Sequence, residues 1–135
     1  MDETHLLLNK TITIALTEDV VDSLSTKIPN WAKNLLIEAD FDYGSGGTTA
    51  NVIIETTIDG TNWIQIANIS FTTADARKSV NLSGRTPVTT VYDSTAVLGS
   101  DTVKDGIIGQ QIRSKLTTTG TYGGDTAITV NVMVK

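Results

Sequence analysis

The sequence contains no cysteine and only one histidine, His5, among its 135 residues. The absence of cysteine excludes a disulfide scaffold, a thiolate zinc site and a cysteine nucleophile. A single histidine cannot build a multi-histidine metal site, and nothing in the sequence pairs it with a nucleophile. We therefore predict that the protein is not an enzyme and that it holds no cofactor, metal ion or catalytic residue.

Basic residues and long hydrophobic runs are also scarce. Ten Lys and Arg residues stand against 15 Asp and Glu residues, which gives a net charge of −5. This balance argues against nucleic-acid binding, because Lys and Arg supply the affinity for phosphates. No apolar run is long enough for a membrane span, and the acidic first ten residues are not typical of a signal peptide. We expect neither a nucleic-acid nor a membrane partner.

Threonine, by contrast, is abundant, with 23 residues in the chain. Thr, Val and Ile are stiff at χ1 and fit a pleated strand better than a helix. A chain of this length fits one domain with its own core. Composition therefore predicts an all-β, single-domain protein.

Period-two alternation of apolar and polar residues predicts about eight short strands. We place them at residues 11–17, 34–43, 49–58, 63–71, 79–82, 88–92, 109–118 and 126–134. Turn residues at 59–62 and 120–125 predict two hairpins, which join the third strand to the fourth and the seventh to the eighth.

These strands predict a two-sheet antiparallel β-sandwich or jelly roll, with a closed barrel as the lesser alternative. The sandwich domain spans residues 11–135 and includes a long loop around 93–109. Residues 1–10 form an N-terminal arm in this prediction, since chain ends are often loosely held.

An acidic row, Glu38, Asp40 and Asp42, places three carboxylates on one face of a predicted strand. Such a row can hold a cation or supply the carboxylate pair of a glycosidase. The favoured interpretation is a solvated face, or cross-strand pairing with Arg113 and Lys115. A flat row of carboxylates cannot wrap around one ion.

The aromatic residues near turns have two interpretations. Trp63, beside the Asp59–Asn62 turn, can stack on a sugar, but turn formation and packing explain these residues more simply. Trp31 carries the same ambiguity. Tyr122, in a glycine-rich turn, is a candidate contact residue. The Gly44–Gly47 stretch lacks the lysine of a phosphate-binding loop and is a turn in our interpretation.

Several segments, taken in order, resemble a known group of proteins. They are the loop Gly44-Ser-Gly-Gly47, the stretch Thr-Thr-Ile-Asp-Gly-Thr-Asn-Trp at 56–63, and the segments at 66–73 and 112–122. The chain from residue 34 to 135 resembles the small β-sandwich virion proteins of tailed bacteriophages, although residues 86–109 match poorly.

The resemblance implies a structural protein that decorates and stabilises the capsid by binding the major capsid protein. It also implies a location on the virion surface after synthesis in the bacterial cytoplasm. A homo-oligomer is expected, with a trimer favoured over a dimer. The alternative is a carbohydrate-binding or host-adhesion module of a tail or fibre. The candidate interaction residues are Leu6, Leu7, Leu8, Val97, Leu98 and Tyr122.

Overall fold

The computed structural model describes residues 3–15 and 26–135 and is all-β over these ranges. Seven strands have eight or nine residues and four have two residues. The strands are β1 (Glu3–Thr11), β2 (Thr26–Lys27), β3 (Asn34–Asp42), β4 (Ser45–Gly46), β5 (Thr49–Thr57), β6 (Trp63–Phe71), β7 (Ala76–Ser83), β8 (Thr102–Val103), β9 (Gln111–Thr119), β10 (Tyr122–Gly123) and β11 (Ala127–Val134).

The strands form two antiparallel sheets that pack face to face. One sheet has the order β1-β11-β3-β7, and the other has the order β2-β9-β5-β6-β8. Without β4, β8 and β10, eight strands remain, and the chain changes sheet after each of them except between β5 and β6, as in a jelly roll. The predicted two-sheet sandwich of about eight strands is confirmed.

The core lies between the two sheets and follows from the alternation of the sequence. On β3, Leu35, Ile37 and Phe41 point inward and are buried, while Asp40 and Asp42 point outward. The even-numbered residues Ile128 to Val134 of β11 continue the same buried layer. Each such apolar side chain contributes about 1.5–3 kcal/mol through its removal from water.

The beginning of the chain differs from the prediction of an arm at 1–10 followed by a strand at 11–17. Residues 3–11 are instead the edge strand β1, which pairs with β11 along its whole length. A bulge between Leu6 and Leu8 breaks the alternation, so Leu7 and Leu8 are both buried. The alternation of the predicted strand at 11–17 puts Ile12, Ile14 and Leu16 on one buried face; Ile12 is buried, Ile14 is 64% exposed, and Leu16 lies outside the described residues.

The predicted hairpin across residues 120–125 is also wrong, because β9 and β11 lie in different sheets. The intervening turn is a corner that carries the chain from one sheet to the other. It pairs, through β10, with the similar corner at β4 between β3 and β5. Gly47 has a φ of +72°, and a Cβ there would overlap the ring of Tyr122. Glycine is therefore required where the two corners meet.

The hairpin between β5 and β6 is confirmed, with Thr57 opposite Trp63 at the turn. The predicted strand at 88–92 is wrong, because these residues join no sheet. The long connection between β7 and β9 therefore spans residues 84–110, starting earlier than the predicted loop at 93–109, and is interrupted by β8. Pro87 has no N–H to donate to a ladder, which disfavours a strand there.

Candidate interaction surface

The connection from residue 84 to residue 110, here called the β7–β9 loop, is held against β6 by side chains of that strand. The side-chain Oε1 atom of Gln65 accepts a hydrogen bond from Leu98 N at 2.9 Å. The backbone carbonyl of Gln65 accepts a second one from the Tyr92 hydroxyl at 3.0 Å. The Nδ2 atom of Asn68 donates to Leu98 O at 2.9 Å. Gln65 and Asn68 are buried as a result, and the loop is fixed in place.

Two aspartates fix the loop further along. Asp101 accepts a hydrogen bond from Ser70 N at 2.9 Å and pairs with Lys78 Nζ at 2.9 Å. Asp105 accepts from Ser83 N at 2.7 Å and from the hydroxyl of Thr86. In both cases the backbone hydrogen bond is the main reason that the aspartate pKa lies below its usual value.

The loop presents apolar side chains to solvent although its backbone is firmly held. Val91 is 97% exposed and Val97 is 80% exposed, while Val88 and Val103 are exposed to a smaller extent. Single exposed apolar residues are common on protein surfaces. Several of them on one anchored loop are typical of a surface that contacts another protein.

An open groove of about 590 Å³ lies beside the loop, between the edge strand β7 and the β6–β8 edge. Ile69, Val80 and Val103 give it an apolar lining. Lys78 crosses its end, where the ammonium group reaches Ser70 O at 2.5 Å and lies 5.3 Å from the centre of the Phe71 ring. The groove and the exposed valines together form the candidate interaction surface.

A buried charge cluster lies on the outer side of the five-stranded sheet. Glu55 on β5 receives Arg113 Nε at 2.8 Å and Lys115 Nζ at 3.4 Å, both from β9. The Glu55 side chain is only 5% exposed. The guanidinium of Arg113 also stacks on Trp63, 4.0 Å from the ring centroid.

This cluster corrects the expected partners of the acidic row. Arg113 and Lys115 pair with Glu55, whereas the acidic row lies on the outer face of the other sheet. There Arg77 on β7 lies 3.8 Å from Glu38 and 3.5 Å from Asp40. These side chains are well exposed, as expected for a solvated face. The cross-strand partner of the acidic row is Arg77.

The tryptophans lie at the same end of the molecule but in different settings. Trp63 is half-buried, with Arg113 against its ring. Trp31 is 42% exposed in a turn closed by a hydrogen bond from Ala32 N to Pro29 O. The Asp59 carboxylate accepts backbone hydrogen bonds from residues 61 and 62, which holds its pKa well below the usual range. Asp59 therefore shapes the hairpin turn, as its favoured interpretation predicted.

The predicted interaction residues divide into exposed and buried sets. Leu6, at 38% exposed, and Val97 remain surface residues, and Leu98 is half-buried under the loop. Leu7 and Leu8 belong to the core of this chain, so their predicted role as surface contacts is wrong.

Tyr122 is likewise fully buried, and its predicted contact role is wrong. Its ring packs edge-on against Phe41 and Tyr43, and its hydroxyl donates to Thr72 O at 2.8 Å. Desolvation raises the pKa of this phenol above its usual value. Tyr122 is a structural residue of the sheet-to-sheet corner.

The sequence reasoning missed Val88, Val91 and Val103 as surface residues and Lys78 with Asp101 as an anchoring pair. The first two valines fell in a predicted strand. The Lys78–Asp101 pair is 23 residues apart in the chain, and no local pattern connects the two.

Within residues 3–15 and 26–135, no group of three or more His, Asp or Glu side chains is arranged to hold a metal ion. The same ranges contain no helix that could cross a membrane. The chain matches no family model, no curated protein and no solved structure.

Proposed function

We propose that this protein is a structural component of a bacteriophage particle that decorates the capsid by binding the major capsid protein. The observation that carries the proposal is the β7–β9 loop, which is anchored to the sandwich yet exposes Val91 and Val97. Further support comes from the jelly-roll strand order, an architecture common among viral capsid domains. The resemblance of residues 34–135 to small virion proteins points the same way.

The proposed mechanism is adhesion by a preformed surface. Because Asp101, Asp105 and the side chains of β6 already fix the loop, little conformational entropy is lost when it meets a partner. Burial of the exposed valines against the capsid then supplies hydrophobic free energy. Each contact is modest, and repetition over a symmetric lattice multiplies the total.

A binding assay with matched variants tests this proposal. Particles of the phage whose genome encodes the chain, stripped of it, are mixed with purified protein and sedimented. The double variant Val91→Asp/Val97→Asp should lose binding, because two charges would have to be desolvated at the contact. Ile58→Asp, an equally drastic change at an exposed residue of the β5–β6 turn, should bind normally.

Failure of the wild-type protein to bind the particles would contradict capsid decoration. Normal binding by the valine double variant would show that the exposed valines of the β7–β9 loop do not contact the capsid. Stabilisation has its own test, since particles carrying the protein should release DNA at a higher temperature than stripped particles.

The proposal includes a homo-oligomer on the particle, because closed cyclic symmetry is usual for soluble oligomers. A trimer is favoured over a dimer as part of what the resemblance to virion proteins implies. Light scattering of the purified protein, alone and at high concentration, measures the mass directly. A monomer that also binds the particles as isolated single copies would contradict the oligomer while leaving capsid binding intact.

A further inference from the structure

A second groove lies at the end of the molecule where β2 and the start of β9 meet. Two adjoining clefts of about 230 and 290 Å³ share Ile28, Asn30 and Gln110 among their lining residues. Lys33 lines the first cleft, and Lys27 and Gln111 line the second. This surface, here called the amide groove, includes residues 84 and 108–110 at the two ends of the β7–β9 loop, but none of the exposed valines used in the capsid proposal.

The chemistry of the amide groove is unlike that of the rest of the protein. Among the residues that the structure describes, its polar side chains are three carboxamides and two ammonium groups, and none of the described carboxylates lines either cleft. The whole chain, by contrast, carries a net charge of −5. A locally positive groove on a negative protein favours an anionic ligand by charge complementarity.

The backbone beneath the groove is fixed before any ligand arrives. Ile28 N donates to Gln110 O at 2.7 Å, and Gln110 N donates to Thr57 O at 2.7 Å. On the other side, Lys33 N donates to Lys135 O, and Lys33 O accepts from Gly84 N. The carboxamides therefore project from rigid positions, which reduces the entropy lost on binding.

The side chains also indicate what the anion carries besides its charge. Asn and Gln each offer a donor and an acceptor, the combination that recognises hydroxyl groups. Ile28 and Ile108 supply an apolar floor, whereas Trp31 lines neither cleft. Aromatic and apolar surfaces suit the carbon-bound face of a sugar ring.

From these features we infer that the amide groove binds a short segment of an acidic polysaccharide. Lys27 and Lys33 pair with the sugar carboxylates, the carboxamides bind the ring hydroxyls, and the apolar floor contacts the ring. Each cleft is smaller than a pocket that encloses a whole small molecule, so several residues of a longer chain lie along the groove.

Titration of the protein with oligogalacturonate, followed by amide NMR shifts, tests the inference. Saturable shifts should map to residues 27–33 and 108–111. A neutral maltose oligosaccharide of the same length should bind at least about tenfold more weakly, because it cannot pair with the lysines.

Matched variants separate a specific site from general attraction. Lys27→Gln/Lys33→Gln should weaken binding about tenfold or more. Lys10→Gln/Lys104→Gln removes the same charge elsewhere and should leave binding within about twofold. Asn30→Ala should also weaken binding without altering the fold.

Three results would overturn the inference. They are the absence of saturable shifts with oligogalacturonate, equal losses in the two lysine double variants, and equal binding of the neutral sugar. None of them bears on capsid binding, which is assigned to Val91 and Val97 and is measured with particles.

Discussion

Among the charged side chains, Glu55 should cause the largest loss of stability when it is substituted. It is buried against Arg113 and Lys115, so Glu55→Gln removes the carboxylate that both cations contact. Breaking a buried ion pair in this way costs about 3–5 kcal/mol. The free energy of unfolding in urea should fall by that order.

Glu38 supplies the matched control. Like Glu55, it pairs with an arginine, Arg77, but in this pair both side chains are well exposed. Exposed pairs contribute at most about 1 kcal/mol, so Glu38→Gln should change stability little. Equal effects of the two substitutions would contradict the burial of the Glu55 cluster.

Tyr122 allows the hydrogen bond and the ring to be measured separately. Tyr122→Phe removes only the bond to Thr72 O and should cost about 1 kcal/mol. Tyr122→Ala also removes the ring from its packing against Phe41 and Tyr43 and should cost about 3–5 kcal/mol. Denaturant unfolding of both variants checks this, and equal losses would show that the ring contributes nothing.

Residue by residue, the sequence predicted burial well where alternation was regular. Leu35, Ile37 and Phe41 on β3 face inward as expected. It failed at Leu7 and Leu8, because two adjacent buried leucines require a bulge and so break the period. The exposure of Val91 could not be read from the sequence either, since a valine in a predicted strand gives no sign that the strand lacks a neighbour.

At the scale of elements, the attachment of the β7–β9 loop depends on the charge of Asp101. Its folded-state pKa lies below the usual 3.8, so the carboxylate stabilises the attachment at pH values above that. The contribution is lost as the pH falls through the lowered value. The Ser70 amide NMR shift should therefore titrate with a midpoint below 3.8.

Asp101→Asn is the matched variant, because asparagine tolerates the positive φ of 55° at this position. The variant should show no such titration at Ser70, and Ser70 should exchange its amide proton faster at neutral pH. A wild-type midpoint at or above 3.8, or the same titration in the variant, would contradict the role of Asp101.

Strand β1 should be indispensable to the fold, in contrast to the loose arm that the sequence suggested. Deletion of residues 1–11 removes Leu7 and Leu8 from the core and exposes one edge of β11. We expect the truncated protein to lose cooperative thermal unfolding in circular dichroism. Leu6→Ala, on the outer face of the same strand, should lower stability only slightly. An unchanged melting temperature after truncation would instead support the predicted loose arm at residues 1–10.

The sequence predicted most long strands but misassigned one connection. Gly120, Gly123 and Gly124 are equally suited to a hairpin and to a corner between sheets. The difference depends on which strand lies beside β11, and that is decided by β1 and β3, far away in the chain. Contacts between distant parts of the chain also position the candidate interaction surface, because the β7–β9 loop is held against β6.

The whole molecule is dominated by pairings between distant parts of the chain. Among the seven longest strands, only β5 and β6 are both consecutive and paired, whereas β1 pairs with β11 and β3 with both β11 and β7. Such topologies fold slowly, on a scale of about milliseconds to seconds. Neither sheet comprises a continuous stretch of chain, so stopped-flow unfolding should show one cooperative phase. Independent unfolding of the two sheets would contradict this.

The pairing of Glu3 with Val134 puts the first and last described strands side by side at one pole of the sandwich. A short peptide linker could join these ends into a ring, and new ends could then be opened at the exposed turn of residues 58–62. In such a circular permutant, β1 and β11 become a covalent hairpin. A reporter fused to the new ends would then leave the molecule from the turn and not from the pole where β1 begins and β11 ends.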